Sequence, residues 1–460
     1  MIGKVLICNR GEIAVRILRA CRDLGVPAAV AYSAADCDSL AVRLADESVC
    51  VGPATAARSY RNVPALLYAC AKVGADAVHP GYGFLAEDPV FAATVADVGL
   101  TFIGPTADQI ALLGDKIAAR SAMRAVGVPV LPGSDGPVSS YPEAARAAAE
   151  IGYPVIVKAA AGGGGRGIAI VRDPDVLEAE LATVRAAARA MFQDDRVYLE
   201  RYVERARHVE VQVLADAQGT VVHLGERDCS VQRRQQKLVE ESPSPQVGPA
   251  LREQLCAAAV AGARAIGYRS AGTFEFLVDD AGEAHFIEMN PRLQVEHPVT
   301  EARSGIDLVG WMIRIAGGEQ LDFTQDDVEL RGHAIEARVN AEDPARGFVG
   351  SAGRVTGLTL PAGGGVRVDT HLFEGCEVPP HYDSLLAKVI VSDRTRAGAL
   401  DRLDRALGEF RVTGVTTNLA FHRDLLDHPS FRAGTYRLDI VESVLARTDP
   451  TVDHPTAKGT

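Results

Sequence analysis

Apolar positions along this chain change period from segment to segment, and the changes mark its elements. Over residues 1–114, short apolar runs alternate with amphipathic stretches. Residues 4–8 read as a buried strand and Asn9-Arg10-Gly11 as a turn. Residues 12–23 then read as a helix with Ile13, Ile17, Leu18 and Cys21 on one face. The stretches 28–33, 75–79 and 101–103 repeat the strand pattern, each ending in polar or glycine-rich residues. Such alternation predicts a doubly wound parallel sheet. His79-Pro80-Gly81-Tyr82-Gly83-Phe84-Leu85 falls at a strand's carboxyl end, where these sheets place ligands. No Gly-x-Gly-x-x-Gly follows the first strand, which disfavours a bound dinucleotide.

From Gly114-Asp115-Lys116 a helix leads through Gly127-Val128-Pro129 and Pro132-Gly133 into a second unit. There a strand over 153–158 ends in Lys158. Gly162-Gly163-Gly164-Gly165-Arg166-Gly167 follows, and 168–171 forms the return strand. Successive N–H groups in such a loop can cover phosphate oxygens. The loop lacks the Gly-Lys-Ser/Thr ending of a P-loop, and a plain hairpin connection is the other reading. Residues 197–203, 208–214 and 221–225 read as antiparallel strands. His208, Glu210 and Gln212 share one face there, so His208 either faces solvent or contacts a nucleotide. Arg227, Arg233, Arg234 and Lys237 flank a polar stretch ending in Glu240-Glu241, suited to an anion or to a solvated salt-bridge network. An alanine-rich helix covers 250–266. Past residue 331 come strands near 354–360, 366–371 and 386–391, and a helix over 396–409. The expected division is 1–114, 115–330 and 331–447, with a tail at 448–460 too poor in large apolar residues to order.

Two predicted strands each carry a carboxylate inside an apolar run: Thr273-Phe274-Glu275-Phe276-Leu277 and Phe286-Ile287-Glu288-Met289-Asn290. If Ala281-Gly282 is a two-residue turn between them, Glu275 lies opposite Glu288 on one face. Two carboxylates ~5 Å apart repel by roughly 3 kcal/mol at an effective dielectric near 20. A divalent cation removes the conflict, and oxygen ligands with Asn290 on the same face suit Mg²⁺ or Mn²⁺ shared with phosphate. A shared proton, or a slipped register that sends one carboxylate to solvent, removes it too.

Composition narrows the classes. The chain has 460 residues, 47% hydrophobic and 23% charged, as in ordinary globular proteins. Its net charge of −12 argues against nucleic acid as the main partner. There is no signal-peptide layout at the N-terminus and no apolar run of membrane-spanning length. Eight scattered cysteines without a Cys-x-x-Cys pair read as reduced, buried thiols of a cytoplasmic protein, with Cys229 alone near candidate chemistry. Only seven of the 48 basic residues are lysine, at 4, 72, 116, 158, 237, 388 and 458. A chain so biased to arginine keeps lysine where a compact ammonium is needed. Lys116, Lys158 and Lys237 share the stretch holding the glycine loop and the acidic hairpin.

Taken in order, Asn9-Arg10-Gly11-Glu12-Ile13-Ala14, the segment 79–85, the glycine loop after Lys158, Glu226-Arg227-Asp228-Cys229-Ser230, and the segments 286–301 and 338–343 resemble biotin carboxylase. That family is the ATP-grasp component of acetyl-CoA and related carboxylases, including those of fatty acid biosynthesis. The resemblance runs to about residue 445. It implies an N-terminal Rossmann-like domain, a central ATP-grasp domain with a mobile lid at about 131–203, and a C-terminal α+β domain. It implies MgATP-dependent activation of bicarbonate as carboxyphosphate, then carboxylation of N1′ of biotin. Lys116, Lys158, Gly164 and Gly165 are then expected on ATP phosphates, and Glu200, Val203 and His208 around the nucleoside. Lys237 is expected near the γ-phosphate, with Glu275 and Glu288 on the metal. Arg292, Gln294 and Val295 are expected on bicarbonate, with Glu296 as its base. Arg338 is expected on the biotin enolate, and Tyr82 near the ureido ring. Gln235 stands where well-known bacterial members have histidine, and Ala161 shortens the glycine run.

None of the five methionines neighbours a lysine, so the Lys flanked by Met of a biotin carrier is missing. A separate carrier protein, a carboxyltransferase partner and, from the resemblance, a homodimer are expected. Two rival readings are an ATP-grasp ligase joining a carboxylate to an amine, and a non-catalytic nucleotide-binding regulatory protein.

Overall fold

The computed structural model describes residues 2–161 and 167–448. Strands β1 (Val5–Ile7), β2 (Ala28–Ser33), β3 (Glu47–Gly52), β4 (Ala77–His79) and β5 (Thr101–Phe102) form a parallel sheet in the order β3-β2-β1-β4-β5. This is the doubly wound arrangement expected from the alternating pattern; β3, half exposed, was not anticipated. Helix α1 (Gly11–Asp23) buries Ile13, Ile17, Leu18 and Cys21, together with Ala14, Val15 and Ala20. That stripe packs in one apolar cluster with Leu214, Leu293, Leu308 and Met312 from later segments, so α1 is a joint between regions.

A three-stranded unit follows, β7-β6-β8, built of β6 (Val155–Ala159), β7 (Ile168–Val171) and β8 (Val197–Arg201). The helices Tyr141–Ile151 and Leu177–Phe192 pack on it around Val155, Val157, Val184 and Leu199, a core of its own. The glycine loop between β6 and β7, including Gly164 and Gly165, lies outside the described residues, as does the tail beyond Thr448.

The centre of the molecule is one antiparallel sheet of eight strands. Its order is β13 (Ala284–Asn290), β12 (Ser270–Asp279), β9 (Ala206–Ala215), β10 (Val221–Arg233), β11 (Gln236–Ser242), β14 (His333–Asn340), then Leu385–Asp393 and Val366–Thr370. Alternation along the strands builds its two faces. Val209, Val211 and Val213 turn to helices Lys116–Ala125 and Pro249–Ala265, while Ile335, Ala337 and Val339 turn to helix Arg396–Glu409. The opposite side carries His208, Glu210, Gln212, Glu336 and Arg338. The alternation was legible, but the polar face does not meet solvent: His208 is 7% exposed, and Glu210 and Gln212 are fully covered.

Candidate active site

Hydrogen-bond register lines up charges across the sheet. Arg227 on β10 pairs with Glu210 on β9, Glu210 with Glu275 on β12, and Glu275 with Glu288 on β13. The neighbouring row is Gln212, Thr273 and Asn290. Beyond β11, Arg338 on β14 faces Lys388, and Lys388 faces Asp369. The carboxylate pair expected from sequence is therefore present, by a different route. The turn is a three-residue connection, closed by the Asp279 N–H to the Glu283 carbonyl at 3.0 Å. A bulge at Ile287 then restores the pairing of Glu275 with Glu288.

Lys237 is the hub. Its Nζ donates to Glu210 at 2.6 Å, Glu275 at 3.0 Å and Glu296 at 2.6 Å. Burial favours loss of its proton, but the three carboxylates outweigh that and hold it well above the ordinary lysine value. Glu296 is fully buried, and Arg338 Nη2 donates to its second oxygen at 2.8 Å. Burial would push this carboxyl up; Lys237, Arg338 and Arg227 overcome it and keep it well below the usual range. Glu240 accepts from Arg338 Nε at 2.6 Å. Burial pushes Glu240 up to about 7, against the pull of Arg338.

Glu275 also accepts from Asn290 Nδ2 at 2.8 Å, and His208 Nε2 lies 3.1 Å from its other oxygen. Burial would lower the His208 imidazole, and the Glu275 charge raises it instead. Lys116 begins a helix, binds Glu288 through Nζ, and donates its N–H to the Ala160 carbonyl at the end of β6. Lys158 Nζ donates to Glu200 at 2.6 Å, with Arg120 Nε 3.4 Å from the same carboxylate. Val203 is half-buried just past β8. Arg292 donates to Gln294 Oε1 at 2.9 Å and to Asn290 Oδ1 at 3.2 Å, and its Nε lies 3.1 Å from Glu87. Gln294 Nε2 reaches Glu275 at 3.4 Å, and the Val295 carbonyl accepts from Lys388 Nζ at 2.8 Å. The Tyr82 hydroxyl donates to Glu12, and burial with that carboxylate raises it well above the ordinary phenol.

Glu275, Glu288 and Asn290 offer oxygen donors from paired positions of β12 and β13, the donor type a hard divalent ion takes, with Lys237 and Asn290 bonded to Glu275 and Lys116 to Glu288. His208, Glu210 and Glu275 also place ligand atoms within 4.8 Å of one another, and Lys237 bonds both carboxylates of that set.

Two sequence expectations change. The basic cluster is not one patch: Arg227 and Lys237 are buried among carboxylates, Arg233 stacks 4.5 Å from the Phe348 ring, and Arg234 is exposed. Arg234 and Gln235 form the tip of the β10–β11 hairpin, both with left-handed backbone at φ 48° and 65°, and both are exposed. Cys229, 4.0 Å from Glu296, is the buried thiol expected, raised well above its usual value first by burial and then by Glu210. Of the eight cysteines, Cys37 and Cys50 are exposed rather than buried. Glu12, Glu240 and Lys388 were not anticipated as part of the site; only the rarity of lysine pointed to the last.

This geometry has counterparts among known proteins. Residues 1–110 match the biotin carboxylase N-terminal domain family, 115–324 the carbamoyl-phosphate synthase L chain ATP-binding domain family, and 336–443 the biotin carboxylase C-terminal domain family. A biotin carboxylase of Haemophilus influenzae is 50% identical over 98% of this chain and 100% of its own. The chain belongs to the biotin carboxylase family. It is an ATP-dependent ligase with the ATP-grasp fold. The biotin carboxylase domain dimer of a Hydrogenobacter thermophilus 2-oxoglutarate carboxylase, solved with MgADP, ADP and bicarbonate, superposes with a TM-score of 0.94. It is 44% identical, over 98% of this chain and 99% of that one. A pyruvate carboxylase component from Methanothermobacter thermautotrophicus is 47% identical, over 96% of this chain and 90% of its own.

Proposed function

We propose that this biotin carboxylase family member transfers the γ-phosphoryl group of ATP to bicarbonate, and then carboxylates N1′ of biotin on a separate carrier protein. This is the first half-reaction of an acyl-CoA carboxylase. The observation that carries the reading is the bonding of one buried carboxylate, Glu296, to both Lys237 and Arg338.

Glu296 is assigned as the base that takes the bicarbonate proton. With both cations attached it is a weak base. When Lys237 turns to phosphate oxygens and Arg338 to a substrate anion, the charges depressing Glu296 are drawn away and its basicity rises where the proton must leave. Arg292, Gln294 and the Val295 backbone are assigned to bicarbonate, so the dianion is paired with a guanidinium as it forms. Lys116 and Lys158, with Gly164 and Gly165, are assigned to ATP phosphates, and Glu200, Val203 and His208 to the nucleoside. The phosphoryl step needs positioning and cations more than covalent chemistry. Glu275, Glu288 and Asn290 are assigned to Mg²⁺ or Mn²⁺, which neutralises phosphate charge when bound. Arg338 then stabilises the biotin enolate beside Tyr82, and the phosphate released from carboxyphosphate takes the biotin proton.

Carrier and carboxyltransferase proteins complete the system, and the latter selects the acid or acyl-CoA finally carboxylated. A homodimer is proposed from the dimeric solved relative. A cytoplasmic setting accords with eight free cysteines.

The test is ATP hydrolysis by the purified chain with Mg²⁺, with and without bicarbonate and free biotin. Turnover is expected to require bicarbonate and to rise with biotin. Glu296→Ala is expected to lower it roughly 10²–10⁴-fold, the usual weight of a general base, and Arg338→Ala to remove the biotin stimulation. ATP binding without bicarbonate-linked turnover, even with a carrier added, would instead favour the regulatory reading.

A further inference from the structure

Lys388 has no assigned role in the chemistry, yet its side chain is wholly buried at the meeting point of three parts of the site. Its Nζ donates to the Val295 carbonyl at 2.8 Å and lies 3.0 Å from Glu12 Oε1. Glu12 in turn accepts the Tyr82 hydroxyl. The backbone register sets Lys388 directly opposite Arg338. One ammonium therefore touches the loop assigned to bicarbonate, reaches Tyr82 through a single carboxylate, and rises from the strand beside Arg338.

The Val295 carbonyl belongs to the same peptide plane as the Glu296 N–H. Fixing the direction of that carbonyl fixes where the Glu296 side chain begins. A buried ammonium is costly unless its protons are satisfied, and replacing buried ion pairs by apolar side chains is often neutral or better for stability. A charge retained here, in a chain with seven lysines, calls for a use beyond packing. Asp369 faces Lys388 on the outer strand but is bonded by Arg367 through both oxygens, at 2.8 and 2.7 Å. Glu336 leaves both of its oxygens without a hydrogen bond. The bonds from Lys388 go instead toward the substrate loop and Glu12.

We propose that Lys388 is a positioning residue that holds the 291–296 loop and Tyr82 in register with Arg338. The proposal rests on the assigned biotin carboxylase reaction and adds a residue to it. It makes bicarbonate and biotin, but not ATP, sensitive to Lys388.

The experiment measures KM for bicarbonate, biotin and ATP, with kcat, in the full-length wild type, Lys388→Met and the double variant Glu12→Gln/Lys388→Met. The double variant removes the unpaired Glu12 charge while keeping an acceptor for Tyr82. KM for bicarbonate is expected to rise about tenfold or more in both, with biotin KM following and ATP KM within about twofold. The double variant is expected to regain the thermal midpoint lost by Lys388→Met without regaining the bicarbonate KM. A folded double variant with wild-type KM for bicarbonate would overturn the proposal, leaving Lys388 as a counter-charge. Failure of both variants to fold would equally assign it to structure. No bicarbonate-dependent turnover in the wild type would instead refute the reaction itself.

Discussion

Lys237 and Glu241 put buried charge to opposite uses. Two of the three carboxylates that hold Lys237, Glu275 and Glu296, are themselves assigned to the site, so those bonds are of the kind a substrate can exchange. Glu241 has only structural partners: His333 Nε2 at 2.6 Å, Arg396 at 2.7 and 2.9 Å, and the Tyr436 hydroxyl at 2.6 Å. Burial would raise its carboxyl, and His333 and Arg396 bring it down to about 2. Because the folded value lies below the unfolded one, the ionised group stabilises the fold above about pH 4.5, and that contribution is lost as pH falls toward 2. The shift corresponds to roughly 3 kcal/mol. Urea unfolding from about pH 5 to pH 3 is expected to show a falling midpoint in the wild type. Glu241→Gln should begin lower and fall less. Equal slopes would mean that other carboxylates govern acid unfolding.

At the scale of elements, the three-stranded unit stands on its own apolar core, and it carries Lys158 and Glu200. If it acts as the lid assigned to 131–203, weakening that core should affect nucleotide binding before global stability. Leu199→Ala removes a fully buried side chain and is expected to cost about 2–5 kcal/mol locally. Hydrogen exchange should accelerate in β6, β7 and β8, and ATP KM should rise, while the large sheet keeps its protection. Uniform acceleration would show that the unit does not open separately. Elements were also where sequence patterning was most and least informative. Period-two alternation identified which of His208, Glu210 and Gln212 share a face, but periodicity carries no information about what covers that face. The facing of Glu275 and Glu288 was anticipated from a turn one residue too short and an unbroken ladder. The bulge at Ile287 compensates, and neither departure has a local signal. Ordered motifs located the site; the cross-strand row joining Arg338 to Lys388 needed the register itself. Helices Leu419–Leu426 and Ile440–Thr448 went unread because short apolar runs do not separate helix from strand.

Across the whole molecule, the sequence division at 330/331 falls between β13 and β14, yet the large sheet does not stop there. Val239 pairs with Ala337, Glu240 with Glu336, Glu241 with Ile335 and Ser242 with Ala334. Arg338 and Glu296 therefore meet within one continuous fabric of backbone hydrogen bonds, although they come from regions matched by different families. A 115–330 fragment expressed alone would bare the β11 edge and invite aggregation. A single backbone cut at the 81% exposed Arg331 should behave differently. The pieces are expected to co-elute on gel filtration, part only in denaturant, and retain bicarbonate-dependent turnover. Separation under native conditions would show that side-chain packing, not strand pairing, binds the two. The boundary in the chain is then a place where the enzyme can be reassembled from two genes' products, each supplying half of a seam that neither can close alone.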